Sequence, residues 1–192
     1  MNNAISKVAI TGASSGIGAA LARVLAAEGA SVALLARRGD KLRQLAAELE
    51  QRYPQQRFFV QELDVGDIAA ILPALQAVQT AMGGLDTVIA NAGVTSVNAA
   101  GKGNFAEDVK LLEINLLGGM ATCDAAARLL REQGHGHIAG VASIAAFSGI
   151  PGSSAYSASK AGFGHYLETI RLELQRKGIT VTAIYPGFIN TE

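Results

Sequence analysis

The chain alternates between two kinds of segment, and this alternation limits the folds open to it more than any other feature. Short apolar runs at 7–10, 31–36, 58–63, 85–90, 137–142 and 179–185 have the length and side chains of buried strands. Between them lie longer amphipathic stretches. Ile17, Leu21, Val24 and Leu25 recur at i, i+4, i+7 and i+8, which predicts one helix face, ended at Glu28-Gly29. Residues 40–53 place Leu42, Leu45 and Leu49 on one side of a second helix, and 67–82 form a third that tolerates Pro73. Residues 105–131 read as one long helix carrying Asn115, and 155–177 as another, ending at Gly178. Buried strands joined by helical crossovers predict an α/β fold, a parallel sheet covered on both faces.

Composition agrees with a single packed domain. Of 192 residues, 49% are apolar and 17% charged, which supplies a core and excludes a disordered tail. Sixteen Lys and Arg balance sixteen Asp and Glu, which argues against a nucleic-acid platform or a polybasic membrane binder. The single cysteine, Cys123, rules out an internal disulfide framework and suits a reducing, cytoplasmic setting. No run approaches the ~18 apolar residues of a membrane span, and the first ten residues do not read as a signal peptide.

The first strand runs into Thr11-Gly12-Ala13-Ser14-Ser15-Gly16-Ile17-Gly18, and a helix follows. Glycines there let the backbone turn sharply and approach a pyrophosphate, while the helix N-terminus offers free N–H groups. A Gly-rich first turn of this kind marks a doubly wound nucleotide-binding sheet with strand order 3-2-1-4-5-6. In such sheets a carboxylate commonly ends the second strand and holds the ribose 2′-hydroxyl. Here Ala36 takes that place, followed by Arg37 and Arg38. Two guanidinium groups suit a 2′-phosphate, so the sequence favours NADP over NAD; the alternative is that both arginines are the solvated start of the next helix. Asp64-Val65 after the third strand can meet an adenine amino group, and Asn91-Ala92-Gly93 after the fourth lets backbone approach the cofactor.

Tyr156 and Lys160 are four residues apart and share one helix face. A free phenol ionises near pH ~10, and an adjacent ammonium favours the phenolate. Such a pair suits proton exchange with a carbonyl/alcohol couple. His135, His137 and His165 have no metal-ligand spacing, and no metal is expected.

Taken together, residues 11–18, Asn91-Ala92-Gly93, Tyr156-x-x-x-Lys160 and Pro186-Gly187 resemble, in order and spacing, the short-chain dehydrogenase/reductases. Ser143, 13 residues before Tyr156, and Asn115 within Ile-Asn-Leu-Leu-Gly match two further positions, and the resemblance spans the whole chain. The frequent Asn-Asn-Ala-Gly and Ser-Ser of that family read Ala90-Asn91-Ala92-Gly93 and Ala142-Ser143 here.

The resemblance implies a Rossmann-like fold and a set of roles. Tyr156 would be the general acid/base, and Lys160 would hold the nicotinamide ribose. Ser143 would bind the substrate carbonyl oxygen, and Asn115 would anchor a water linked to Lys160. Pro186 and Gly187 would shape the nicotinamide end, and Thr191 would meet its carboxamide. It also implies a homodimer or homotetramer, and a chain that continues beyond Glu192 into a lid, a further strand and a tail. An apolar surplus on the long helices (Leu111, Leu112, Leu116, Leu117, Phe163, Leu167, Ile170 and Leu174) predicts a second buried surface. The expected function is hydride transfer between NADP(H) and a carbonyl or secondary alcohol, with a small-molecule substrate and neither nucleic acid nor membrane as partner. The alternatives are a non-catalytic NADP-binding protein and an epimerase or dehydratase of the same fold.

Overall fold

In the computed structural model, which describes residues 6–189, the six apolar runs form one parallel sheet. Strands β1 (Lys7–Thr11), β2 (Ser31–Ala36), β3 (Phe58–Glu62), β4 (Thr87–Ala90), β5 (Gly136–Val141) and β6 (Ile179–Ile184) pair in the order β3-β2-β1-β4-β5-β6, as the sequence predicts. Ile10 is in register with Leu34 and Ile89, so aliphatic side chains form continuous rows across the strands. Helices α1 (Gly16–Ala27) and α2 (Gly39–Arg52) cover one face. Helices α3 (Ile68–Met82), α5 (Gly119–Gln133) and α6 (Ser154–Leu174) cover the other. A short helix, α4 (Phe105–Leu112), leads into α5.

Covering is unequal on the two faces. Thr180, Thr182 and Ile184 of β6 are exposed, while Ile179 and Val181 on the opposite side are buried. On the first face α1 and α2 lie over β1–β3, and the burial extends to Ile89 of β4 and to Ala139 and Val141 of β5.

Two helices differ from the periodicity reading in instructive ways. In α1 the buried face is Gly18, Ala19, Ala22 and Ala26, not the larger Ile17, Leu21, Val24 and Leu25. A Cβ on Gly18 would overlap the Gly12 carbonyl, so small residues are what let this helix press onto the sheet. Val24 is left exposed, and Leu21 and Leu25 pack at the flank.

The stretch read as one helix over 105–131 is interrupted. Residues Glu113–Gly118 form a π-helical turn between α4 and α5, and the helix continues to Gln133. The wider turn accommodates an extra residue around Asn115, a distortion frequent at functional sites. The apolar surplus also shrinks: Leu111, Phe163, Leu167, Ile170 and Leu174 are all spent on the chain's own core. Leu112 and Leu116 are half-buried and Leu117 exposed, so they, with Val109, are what remains for an outer surface. Cys123 is fully buried, and burial pushes its thiol up to about 12, which makes it a packing residue.

Candidate active site

All six strands point their C-terminal ends at one edge of the sheet, and the order reverses between β1 and β4. Loops leaving neighbouring strands diverge at such a point and leave a crevice. Here it is a cleft of about 770 Å³. The loop after β1 forms its floor. Gly12 and Gly16 have φ of 71° and 56°, a region that favours glycine. A Cβ on Gly12 would stand 2.8 Å from Ala92 Cα, so the Gly-rich loop and the Asn91-Ala92-Gly93 turn lie in direct contact.

Thr11 fastens these two turns together. Its Oγ1 accepts from the backbone N–H groups of Asn91 and Ala92, both at 3.1 Å, and Asn91 Nδ2 donates to the Thr11 carbonyl at 2.9 Å. Ser15, at the N-cap of α1, makes no side-chain cap. The helix therefore presents its first turn to the cleft unblocked, and a dinucleotide pyrophosphate fits this cradle.

At the end of β2 no carboxylate replaces Ala36. The Arg38 guanidinium donates to Ser14 Oγ at 2.9 and 3.2 Å and to Ser15 Oγ at 2.6 Å, which joins the β2 end to the Gly-rich loop. Arg37 lies 3.9 Å from Asp64, both exposed, and Asp64 Oδ1 also accepts from the Gly66 N–H at 3.0 Å. The nearby Glu62 carboxylate is turned away onto Arg43, at 2.9 Å.

The other end of the cleft holds Ser143, Tyr156 and Lys160. Ser143 follows β5 and caps a short turn, its Oγ accepting from the Ala145 N–H at 3.2 Å. Tyr156 sits in the first turn of α6. Lys160 is one turn further on, only 5% exposed, with Nζ donating to the Val141 carbonyl at 2.9 Å and 5.8 Å from the Tyr156 ring centroid. Burial pulls the Lys160 ammonium down to about 8, since a low-dielectric site disfavours the charged form. Asn115 stands behind this row. Its Oδ1 accepts from the Val94 N–H and its Nδ2 donates to the Val94 carbonyl, both at 2.8 Å, with a longer contact to Ser159 Oγ at 3.4 Å.

Most of the residues singled out in the sequence converge here. Gly12, Ser14, Ser15, Gly16, Ile17, Arg37, Arg38, Asp64, Val65, Asn91, Ala92, Gly93, Ser143, Tyr156, Lys160, Pro186 and Gly187 all line the cleft. Gly18 and Asn115 do not: the first seats α1 on the sheet, and the second holds the turn after β4. Thr191 lies outside the described residues. Sequence reasoning passed over three residues with structural work at the site. Thr11 was read only as part of a motif. Ser159 was a spacer between Tyr156 and Lys160, yet it is fully buried and donates to the Tyr156 carbonyl at 2.7 Å. Asn98 carried no sequence signal at all, because its partners are distant or backbone atoms.

Comparison with known proteins agrees with this geometry. The family model described as short chain dehydrogenase matches residues 6–192. An uncharacterized oxidoreductase of Mycobacterium tuberculosis is 40% identical over 187 residues, covering 97% of this chain and 74% of the relative. One from Myxococcus xanthus is 38% identical over 183 residues, covering 95% of this chain and 72% of the relative. Among solved structures, levodione reductase superposes with a TM-score of 0.92 at 33% identity, covering 97% of this chain and 72% of that one. An alcohol dehydrogenase from Thermococcus sibiricus complexed with 5-hydroxy-NADP gives 0.89 at 30% identity, covering 96% and 77%. By family match, relatives and fold alike, this chain belongs to the short-chain dehydrogenases, a family of oxidoreductases.

Proposed function

We propose that the chain reduces a carbonyl compound to the secondary alcohol, and catalyses the reverse, with NADP(H) as redox partner. The carrying observation is that Ser143, Tyr156 and Lys160 open onto the same cleft as the Gly-rich loop and the paired arginines. When bound, the reduced nicotinamide supplies the hydride that the carbonyl carbon gains. Ser143 hydrogen-bonds the carbonyl oxygen and positions it. Tyr156 donates the proton that the oxygen needs as negative charge builds there. The Lys160 ammonium stabilises the phenolate left behind and binds ribose hydroxyls. In the reverse direction Tyr156 takes the alcohol proton.

The phenolate must be reprotonated from solvent. The point where a Cβ of Gly93 would stand is 3.3 Å from Asn115 Oδ1 and 3.5 Å from Lys160 Nζ. Asn115 and Lys160 thus flank the same glycine, which supports a proton route from Lys160 past Asn115. Arg37, Arg38 and Ser14 gather donors where a 2′-phosphate would lie, which supports NADP over NAD. A protein that only bound NADP would have no use for a buried Lys160 beside Tyr156 and Ser143.

The chain also associates with itself in this reading, through the outer face of α4, the π turn and α6. Val109, Leu117 and the half-buried Leu112 and Leu116 lie there, and Asp108 Oδ1 and Ser157 Oγ are buried without a hydrogen-bond partner. Among the described residues no helix is long and apolar enough to cross a membrane. Spectrophotometric NADPH oxidation against a carbonyl panel tests the activity; stoichiometric NADPH binding with no turnover on any carbonyl would overturn it. Sedimentation velocity tests the association.

A further inference from the structure

The cleft is divided by charge. Its charged rim, Arg37, Arg38 and Asp64, lies beyond the ends of β2 and β3. Ser143 lies beyond β5, three strand spacings from β2, or about 14 Å. From Ser143 outward, the lining is Val94, Ile144, Ile150, Phe188 and Ile189, with Thr95 and Ser153 as uncharged polar groups. Among the described residues that line the cleft, Lys160 is the cation at this end, and it is buried and committed to the Val141 carbonyl.

Apolar exposure gathers at the same place. Phe188 is 91% exposed and Val97 87%, and Ile144, Phe147 and Ile189 are also open to solvent. Val97 Cγ1 lies 3.2 Å from where a Cβ of Gly152 would stand, beside Ser153 of the lining. Phe147 packs against Tyr185, with ring centroids 4.7 Å apart and the ring planes tilted by 46°. The two loops that carry Val94 and Ile150 are tied before any ligand arrives. Asn98 N donates to the Gly152 carbonyl at 2.7 Å and forms a parallel bridge with Ser153, and Asn98 Nδ2 donates to the Asn104 carbonyl at 3.0 Å.

Resting on the carbonyl-reductase reading above, we infer that the substrate is an uncharged ketone or aldehyde with apolar substituents, and that carboxylate- or phosphate-bearing carbonyl compounds are rejected. An anionic group on these walls would lie against apolar side chains and find no unpaired cation among the described residues that line them. A polyhydroxylated substrate would bring more hydroxyls than Thr95 and Ser153 can satisfy, while apolar groups gain by displacing water from Val94, Ile144 and Ile150.

The test uses the native chain loaded with NADP⁺, so that ketone binding is read without turnover. Calorimetry compares benzylacetone, its para-carboxylate and a ketopentose. Benzylacetone is expected to bind at least ~100-fold tighter than the carboxylate, as removal of an anion to an unpaired apolar site implies. Ile150→Arg places a cation on the wall and is expected to bring that ratio below ~10-fold. Comparable or tighter binding of the carboxylate or the ketopentose by the native chain overturns the inference, and so does failure of all three to bind. Selective binding of benzylacetone without NADPH oxidation on any carbonyl would leave the inference standing and overturn the proposed activity instead.

Discussion

Lys160 Nζ donates to the Val141 carbonyl at 2.9 Å, so a buried ammonium on α6 is tied to the last residue of β5. Val141 is two residues before Ser143, and Lys160 one helical turn after Tyr156. This single bond therefore fixes the strand end that carries the hydroxyl of Ser143 relative to the helix that carries the phenol of Tyr156. Removal of Lys160 acts on the geometry of the site as well as on its charge.

The tether comes at a cost that depends on pH. Burial lowers Lys160 from 10.5 to about 8, so between these values the unfolded chain holds a proton that the folded chain lacks. Stability contributed by this group therefore rises with pH over that window, and its penalty is full below about pH 8. The shift corresponds to about 3 kcal/mol. Against it stands the hydrogen bond to Val141, worth about 1 kcal/mol. Lys160→Met is expected to be more stable than the native chain at pH 7 in urea unfolding, and to lose that advantage as pH approaches 10.5. A stability difference independent of pH would show that the folded chain does not bury a charged amine here.

Tyr156→Phe removes one hydroxyl and almost no volume. Single-turnover hydride transfer at saturating NADPH is expected to slow by about 100- to 10,000-fold, the usual contribution of a general acid. NADPH affinity, read by cofactor fluorescence, should change little, and Ser143→Ala should likewise keep the cofactor while losing rate. A Tyr156→Phe chain that transfers hydride at the native rate would take the proton-donor role away from this residue.

Fold and site were not equally legible. Strand order and the position of the cleft follow from alternation and one Gly-rich turn, because parallel crossovers of fixed hand leave few topologies. Helix faces were harder to read. In α1 large apolar residues mark the flank and small ones the contact, since periodicity scores hydrophobicity and not closeness of approach. The π turn at Asn115 left no mark in the spacing of apolar residues. Its cause is tertiary: Asn115 bonds both backbone groups of Val94, 21 residues earlier in the chain. Gly118 and Gly119 hint at the distortion, as their missing Cβ atoms make room for Val65 and Phe163.

Arg37 and Arg38, side by side at the end of β2, both bear on the proposed cofactor choice. Ser14 and Ser15 already hold the Arg38 guanidinium at the β2 end, so a 2′-phosphate would meet a positioned cation there, with the exposed Arg37 beside it. NADPH is expected to bind tighter than NADH by about 2 kcal/mol, the scale of a charge-assisted hydrogen bond. Arg37→Ala should erase most of that gap, and Arg38→Ala should weaken NADPH while also loosening the loop. Competition titrations measure both. Equal dissociation constants for the two cofactors in the native chain would refute the preference.

Asn98 offers a test of how the substrate wall is held. Its side chain donates to the Asn104 carbonyl at 3.0 Å, while its backbone joins Gly152 ahead of the helix that bears Tyr156. Asn104 in turn accepts from the Ala106 N–H at 3.1 Å and caps α4. Gly103 lies so close to the Asn98 amide that a Cβ there would overlap it. Asn98→Ala removes the bond, and Gly103→Ala expels the side chain that makes it, so the two changes break one contact from opposite sides. Each is expected to destabilise the chain by about 1 kcal/mol, to speed hydrogen exchange over 95–104, and to raise KM for the carbonyl several-fold more than it lowers kcat. Because the contact is shared, the double variant should be little worse than either single one, leaving an interaction energy of about 1 kcal/mol in the cycle. Additive effects would mean that Gly103 and Asn98 act separately, and that the loop after β4 is held by its backbone alone.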